Sequence, residues 1–169
     1  LQAGMPMPPL ALQDEVSLSL GLHVAEQTKK DLAAEGKPWT EHPGMSVVRQ
    51  LCEIGRIGKK AGKGFYDYDV DGEGSGKRLW PELTTLYPVA AQQPPQRELI
   101  DRLMFAQANE AARCFEEGVL RSVADANIGS IFGWGFAPFQ GGALQFVNAM
   151  GAPAFVARAR ELAAKYGPR

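Results

Sequence analysis

The chain has 169 residues, of which 45% are hydrophobic and 22% charged; 18 basic and 19 acidic side chains leave a net charge of -1. That length supports one domain, or two small ones sharing a core, that buries roughly 70% of the extended chain's surface without a disulfide or metal. The composition excludes a mainly disordered chain, and the charge balance argues against wholesale nucleic-acid or membrane-surface binding while leaving room for a local patch.

The first 54 residues read as helices. Pro8 and Pro9 suit a first turn, where a missing N–H costs nothing, and Leu10, Leu12 and Val16 follow on a short helix. Ser19 is the expected N-cap of a second helix carrying Leu22, Ala25, Leu32 and Ala33, which ends near Gly36-Lys37-Pro38. A third is predicted from about Met45 to Ile54, with Val47, Val48, Leu51 and Ile54 inward and Gly55 just past its end. Gly55 to Gly64 is too rich in glycine for a helix interior. Phe65-Tyr66-Asp67-Tyr68 reads as a strand, Asp71-Gly72 as a turn, and Arg78-Leu79-Trp80 as a returning partner, a β-ribbon near 64–80.

Residues 88–95, with Pro88, Pro94 and Pro95, form a linker. Gln96 to Glu117 is the longest predicted helix, with Ile100, Leu103, Met104, Ala108, Ala111 and Phe115 on one stripe and Gly118 as the stop. Ser122-Val-Ala-Asp125 resembles a capping box opening a helix to about Phe132. A helix near 140–150, stopped by Gly151, and a last one from Pro153 to about Lys165 complete an almost all-α chain. Gly4 to Leu10 and Gly133 to Phe139 share Gly, Pro and large apolar residues in register, each followed by a further helix pair. A duplication and chance both account for so few matches. In a duplication the chain would open in the middle of its first repeat, consistent with a start at Leu1-Gln2-Ala3 that has neither initiator Met nor signal peptide.

No motif assembles a catalytic site. The P-loop pattern fails at Gly58 to Gly64, and the dinucleotide pattern fails after Gly62/Gly64, Gly72/Gly74 and Gly133/Gly135; none of these three lies between a strand and a helix. The expectation is that the chain binds no cofactor and no metal. Arg56, Lys59, Lys60 and Lys63 suit phosphates of a nucleotide or coenzyme A, with Tyr66 or Tyr68 to stack on a base, but a solvated loop is the commoner meaning of such a run. His23 and His42 have no recognisable partner, and Cys52 and Cys114 read as small core residues in a reducing cytoplasm. Asn109-Glu110 is either catalytic or, as is more usual, a buried hydrogen-bonding pair at a helix crossing. Glu116-Glu117 runs against the dipole of its helix. The longest apolar runs fall well short of the ~20 residues of a membrane span.

Four segments carry a family resemblance. Gly55-Arg-Ile-Gly-Lys-Lys-Ala-Gly-Lys-Gly-Phe-Tyr-Asp-Tyr68 resembles the R-x-G-x-K-x-G-x-G-F-Y-x-Y signature of the C-terminal domain of 3-hydroxyacyl-CoA dehydrogenases. Gly4 to Asp14 is similar to that family's G-x-P-M-G-P-x-x-L-x-D segment. Asn109 to Gly118, with Asn127 to Gly142, resembles the second C-terminal repeat of the multifunctional α-subunits of fatty-acid β-oxidation. There are departures: Pro8 stands for a Gly, Ser17 and Ser19 where Gly and Asp are usual, and Gln140 for a basic residue.

The resemblance implies an all-α fold, a duplicated dehydrogenase C-terminal domain of the 6-phosphogluconate dehydrogenase C-terminal-like kind with one small ribbon. The expected organisation is 1–87, a first repeat truncated at its N-terminus; 88–95, linker; and 96–169, a second repeat. It implies a C-terminal fragment of an NAD-dependent (S)-3-hydroxyacyl-CoA dehydrogenase, walling the acyl-CoA site and inactive alone, with NAD and the catalytic groups held by an upstream Rossmann domain and a hydratase domain in some parents. Met5, Met7, Pro8, Lys59, Lys60 and Lys63 are the expected substrate-binding residues. Expected partners are the upstream domains, acyl-CoA and a second copy through an uncovered apolar face, but not nucleic acid or a membrane span. The rival from another class is a free-standing helical module binding a polyanion through Arg56 to Lys63.

Overall fold

A computed structural model describes residues 2–69 and 76–167; the expected turn at Asp71-Gly72 lies outside them. The elements in chain order are α1 (Pro9–Val16), α2 (Leu18–Ala34), α3 (Gly44–Glu53), β1 (Tyr66–Tyr68), β2 (Lys77–Leu79), α4 (Leu83–Leu86), α5 (Gln96–Glu116), α6 (Val123–Trp134), α7 (Ala143–Met150) and α8 (Ala152–Tyr166). The fold is all-α with one antiparallel ribbon, as expected. The chain forms two compact units: a ribbon unit, Met7–Ala90, and a helical unit made of Leu1–Pro6 and Ala91–Arg169.

The core of the ribbon unit is Leu18, Val48, Leu51 and Phe65, with Trp80 and Leu83 packed against it. The helix starts and stops follow local chemistry. Gly36 and Gly55 take positive φ after α2 and α3, and the N–H groups of Lys37 and Arg56 close back on the carbonyls of Leu32 and Leu51. α1 does not bury its large aliphatic side chains. Leu10, Leu12 and Val16 are 37%, 46% and 52% exposed, whereas Ala11 and Asp14 are buried. The small Ala11 and a hydrogen-bonded carboxylate let α1 pack closely, which three bulky aliphatic side chains would prevent. Ser19 is not the cap of α2 either: Ser17 alone separates the helices, at φ 83° and ψ 127°.

In the helical unit, Phe105 of α5, Phe146 of α7 and Phe155 of α8 form the core. Phe105 stacks on Phe155 with centroids 4.3 Å apart, and Phe146 meets both edge-on. Met104, Ala108 and Ala111 of the expected α5 stripe are buried, but Phe105 belongs to it too, while Leu103 and Phe115 face outward. Ser122 caps α6, its hydroxyl accepting from the Asp125 N–H at 3.0 Å. Asn127 of α6 caps α7, its Oδ1 accepting from Leu144 and Gln145. Ala3 is buried in this core and Met5 packs against it.

The two units share a backbone device. α1 and α7 both span eight residues, and each is joined to the next helix by one residue of unusual conformation: Ser17 at (83°, 127°) and Gly151 at (83°, 130°).

Candidate functional site

The glycine-rich segment of the ribbon unit is held by two buried charges. Asp14, on α1, accepts from the N–H groups of Phe65 (Oδ1, 2.8 Å) and Tyr66 (Oδ2, 2.9 Å) and from the Tyr68 hydroxyl (Oδ2, 2.9 Å). Arg56 takes the carbonyl side. Its Nε donates to Gly64 O at 2.7 Å, and its Nη2 donates to Tyr66 O at 3.2 Å and to Asp67 Oδ1 at 2.6 Å. The guanidinium also lies 4.2 Å from the Trp80 ring centroid. The Trp80 N–H donates to Phe65 O, so the polar backbone of this stretch is paired from both sides.

Arg56 is therefore a structural residue, 7% exposed, and is lost to the basic cluster expected to meet a polyanion. Burial first, and the Asp14 bond second, push the Tyr68 phenol well above its ordinary range.

This clamp presents a tight turn. Lys59–Ala61 forms one turn of 3-10 helix between Gly58 and Gly62, both at positive φ, and the Gly58 N–H closes it on Lys63 O at 2.8 Å. Gly58 is required for space as well, since a Cβ there would lie 2.6 Å from the Asp14 carbonyl oxygen. Lys59, Lys60 and Lys63 are all exposed on this turn, and Lys59 pairs with Glu15 at 2.5 Å. Met7 and Pro8 lie in the same unit but at the other end of α1, about 10 Å along the helix from Glu15. Met5 belongs to the helical unit, where its sulfur accepts from Gln107 Nε2 at 3.4 Å.

A second feature lies in the helical unit. α5 and α6 enclose a groove of about 320 Å3 lined by Gln107, Glu110, Cys114, Ala126, Gly129 and Trp134, among others. Trp134 Nε1 donates to Gln107 Oε1 at 3.0 Å. The Asn109-Glu110 pair is not a buried crossing device: both residues are exposed, and Glu110 pairs with Arg113 at 2.8 Å. Cys114 lines the groove rather than the core, whereas Cys52 packs beside the ribbon-unit core and burial pushes its thiol up. His23 is exposed, and His42 accepts from the Gly44 N–H at the start of α3. No group of three or more metal-ligating side chains occurs among the described residues.

Residues 1–68 match the family model described as 3-hydroxyacyl-CoA dehydrogenase, C-terminal domain. That stretch is similar to the C-terminal domain of this dehydrogenase family. The family is one of oxidoreductases and is NAD-dependent in general. The matched stretch of the dehydrogenase domain runs to Tyr68, and so takes in α1 to α3, the lysine turn, and both halves of the clamp, Asp14 and Arg56. Asp14 stood in the sequence only as the last letter of a motif. Nothing local reveals that its carboxylate serves backbone fifty residues away.

Proposed function

We propose that this chain is a C-terminal part of an NAD-dependent (S)-3-hydroxyacyl-CoA dehydrogenase of fatty-acid β-oxidation. It contributes a wall of the acyl-CoA site and a surface for the upstream domains, and does not catalyse alone. The observation that carries this reading is the clamped turn. Asp14 and Arg56 spend two buried charges on fixing Gly64 to Asp67, and the tight turn immediately before that segment offers Lys59, Lys60 and Lys63 to solvent. Lysines on a fixed backbone suit the phosphates of coenzyme A, because less freedom is lost on binding. Met7 and Pro8, at the start of α1, supply apolar contacts for the acyl-pantetheine portion in this reading.

A duplicated organisation, 1–87 and 96–169 around a linker at 88–95, belongs to the same proposal. It is supported by the paired α1–Ser17–α2 and α7–Gly151–α8 conformations.

NAD does not fit the described residues. A dinucleotide site needs a parallel strand, a glycine turn and a helix to receive the pyrophosphate, and the sheet described is a two-stranded antiparallel ribbon. The nicotinamide and the general base are assigned to the upstream domains. No helix described is long and apolar enough to cross a membrane.

The test is calorimetric titration of the purified chain with NAD and with acetoacetyl-CoA, together with a reduction assay. The expected result is no saturable NAD binding at micromolar concentration, no turnover, and weak acyl-CoA binding that is lost when Lys59, Lys60 and Lys63 become Ala. Turnover, or micromolar NAD binding, overturns the proposal.

A further inference from the structure

The two units pair their helices in the same way but cover different sides of them. Aligning Ser17 with Gly151 lays α1 on α7 end to end, and α2 and α8 each begin at the next residue. In the helical unit that pair is covered by α5. Phe146 and Phe155 pack on Phe105, Arg158 pairs with Asp101 at 2.7 Å, and Lys165 pairs with Glu98 at 2.6 Å. In the ribbon unit α1 turns the opposite side inward. It buries Ala11 and Asp14, whose counterparts Gln145 and Asn148 are exposed, and leaves Leu12, the counterpart of Phe146, outside.

The uncovered side specifies its cover. Leu12 and Val24 are exposed apolar side chains, and Val24 stands where Arg158 reaches Asp101. Gly21 stands where Phe155 stacks on Phe105, and a Cβ there meets nothing within 4 Å, so the surface is notched at this point. Asp31, exposed and bonded by the uncharged Gln27 amide, stands where Lys165 meets Glu98. The charge at that register is therefore reversed. A helix laid here gains by burying the two aliphatic groups and by filling the notch with a large side chain.

We infer that this face of α1 and α2 seats an amphipathic helix of the α5 kind, aromatic opposite Gly21, apolar where α5 has Asp101 and basic where it has Glu98. The helix comes from the upstream domains, which rests on the proposed dehydrogenase reading. Ridges of a third helix fit the channel between two others, and its Lys or Arg answers Asp31. A second copy offering its own α5 is disfavoured, because Glu98 would face Asp31 and the Asp101 carboxylate would be buried against Val24.

The probe is a fluorescein-labelled peptide of residues 96–117 carrying Glu98→Lys and Asp101→Leu. It is compared with the unsubstituted peptide, each titrated against the full chain under reducing conditions. The substituted peptide is expected to bind at one-to-one stoichiometry and about tenfold more tightly than the other. Leu12→Lys with Val24→Lys should weaken it about tenfold or more, and both positions are exposed, so circular dichroism should show an intact fold. Gly21→Leu fills the notch from a helical position and should also remove binding, whereas Val156→Lys, on the exposed side of α8, should leave it unchanged. Asp31→Lys should narrow the gap between the peptides. Equal affinity of the two peptides, no saturable binding, or binding indifferent to Leu12→Lys with Val24→Lys overturns the inference. So does a dimer in sedimentation that Gly21→Leu dissociates, which would make a second copy the occupant. Neither NAD nor acyl-CoA enters this titration, so it fails separately from the tests of the dehydrogenase reading.

Discussion

The carboxylate of Asp14 occupies the space that a Cβ on Gly64 would need, with Oδ1 well inside van der Waals contact of that position. Gly64 is not among the glycines at positive φ, so its requirement is one of room rather than of backbone freedom. The glycines serving the turn's conformation are Gly58 and Gly62.

Gly64→Ala therefore strikes a buried carboxylate that holds two backbone N–H groups and cannot step aside without leaving them unpaired. A loss of about 2–4 kcal/mol is expected, against less than about 0.5 kcal/mol for Lys63→Ala on the exposed turn. The two should be compared by denaturant midpoints. Asp14→Ala combined with Gly64→Ala should cost less than the sum of the single variants, because the clash disappears with the carboxylate. Additivity would mean that the two residues do not meet.

Ser17 holds a φ of 83° that only glycine adopts freely, and Gly151 takes the same conformation at the α7–α8 junction. Ser17→Gly releases this strain but gives up a hydroxyl bond to the Ile57 carbonyl. A net gain of about 0.5–1 kcal/mol is expected, seen as a higher melting temperature. A lower melting temperature would show that the hydroxyl bonds matter more than the backbone.

Tyr68 gives the ribbon unit an alkaline limit. Its folded ionisation is raised, by burial first and by its bond to Asp14 second, above the unfolded value near about 10. A raised value means stability that is whole below about pH 10 and is lost as pH rises toward the folded value. Melting temperature should fall above about pH 10, and the fall should be shallower in Tyr68→Phe, which is less stable at neutral pH but has no phenol to ionise. Parallel curves for the two proteins would remove Tyr68 as the cause.

Met104 is 2% exposed in the core of the helical unit. Met104→Asp puts an unpaired carboxylate there, at a cost of several kcal/mol against a typical total of roughly 5–15. Loss of the cooperative melt of α5 to α8 is expected. A melt within a few degrees of the parent's would take α5 out of the core.

Much of the helical framework was legible because its signals are local. Pro94-Pro95 before Gln96, the Ser122 hydroxyl three residues before Asp125, and Gly36, Gly55, Gly118 and Gly151 at helix ends act on backbone within a few residues. The family signature lay in contiguous residues for the same reason that it was readable: the turn from Gly58 to Gly64 is built by its own glycines. What only the tertiary structure decided are the choices that depend on a distant neighbour. α1 offers Leu10, Leu12 and Val16, yet buries Ala11 and Asp14, because the backbone N–H groups of Phe65 and Tyr66 need an acceptor more than the core needs three more aliphatic groups. Arg56 looked like one more cation in a basic run, and only the Gly64, Tyr66 and Asp67 oxygens around it turn it inward. Residues 2–6 read as the start of the unit that follows them, but Ala3 is buried with α5. Hydrophobic periodicity states that a face is apolar; which surface covers it is settled by shape and by unpaired polar groups that the chain brings from elsewhere.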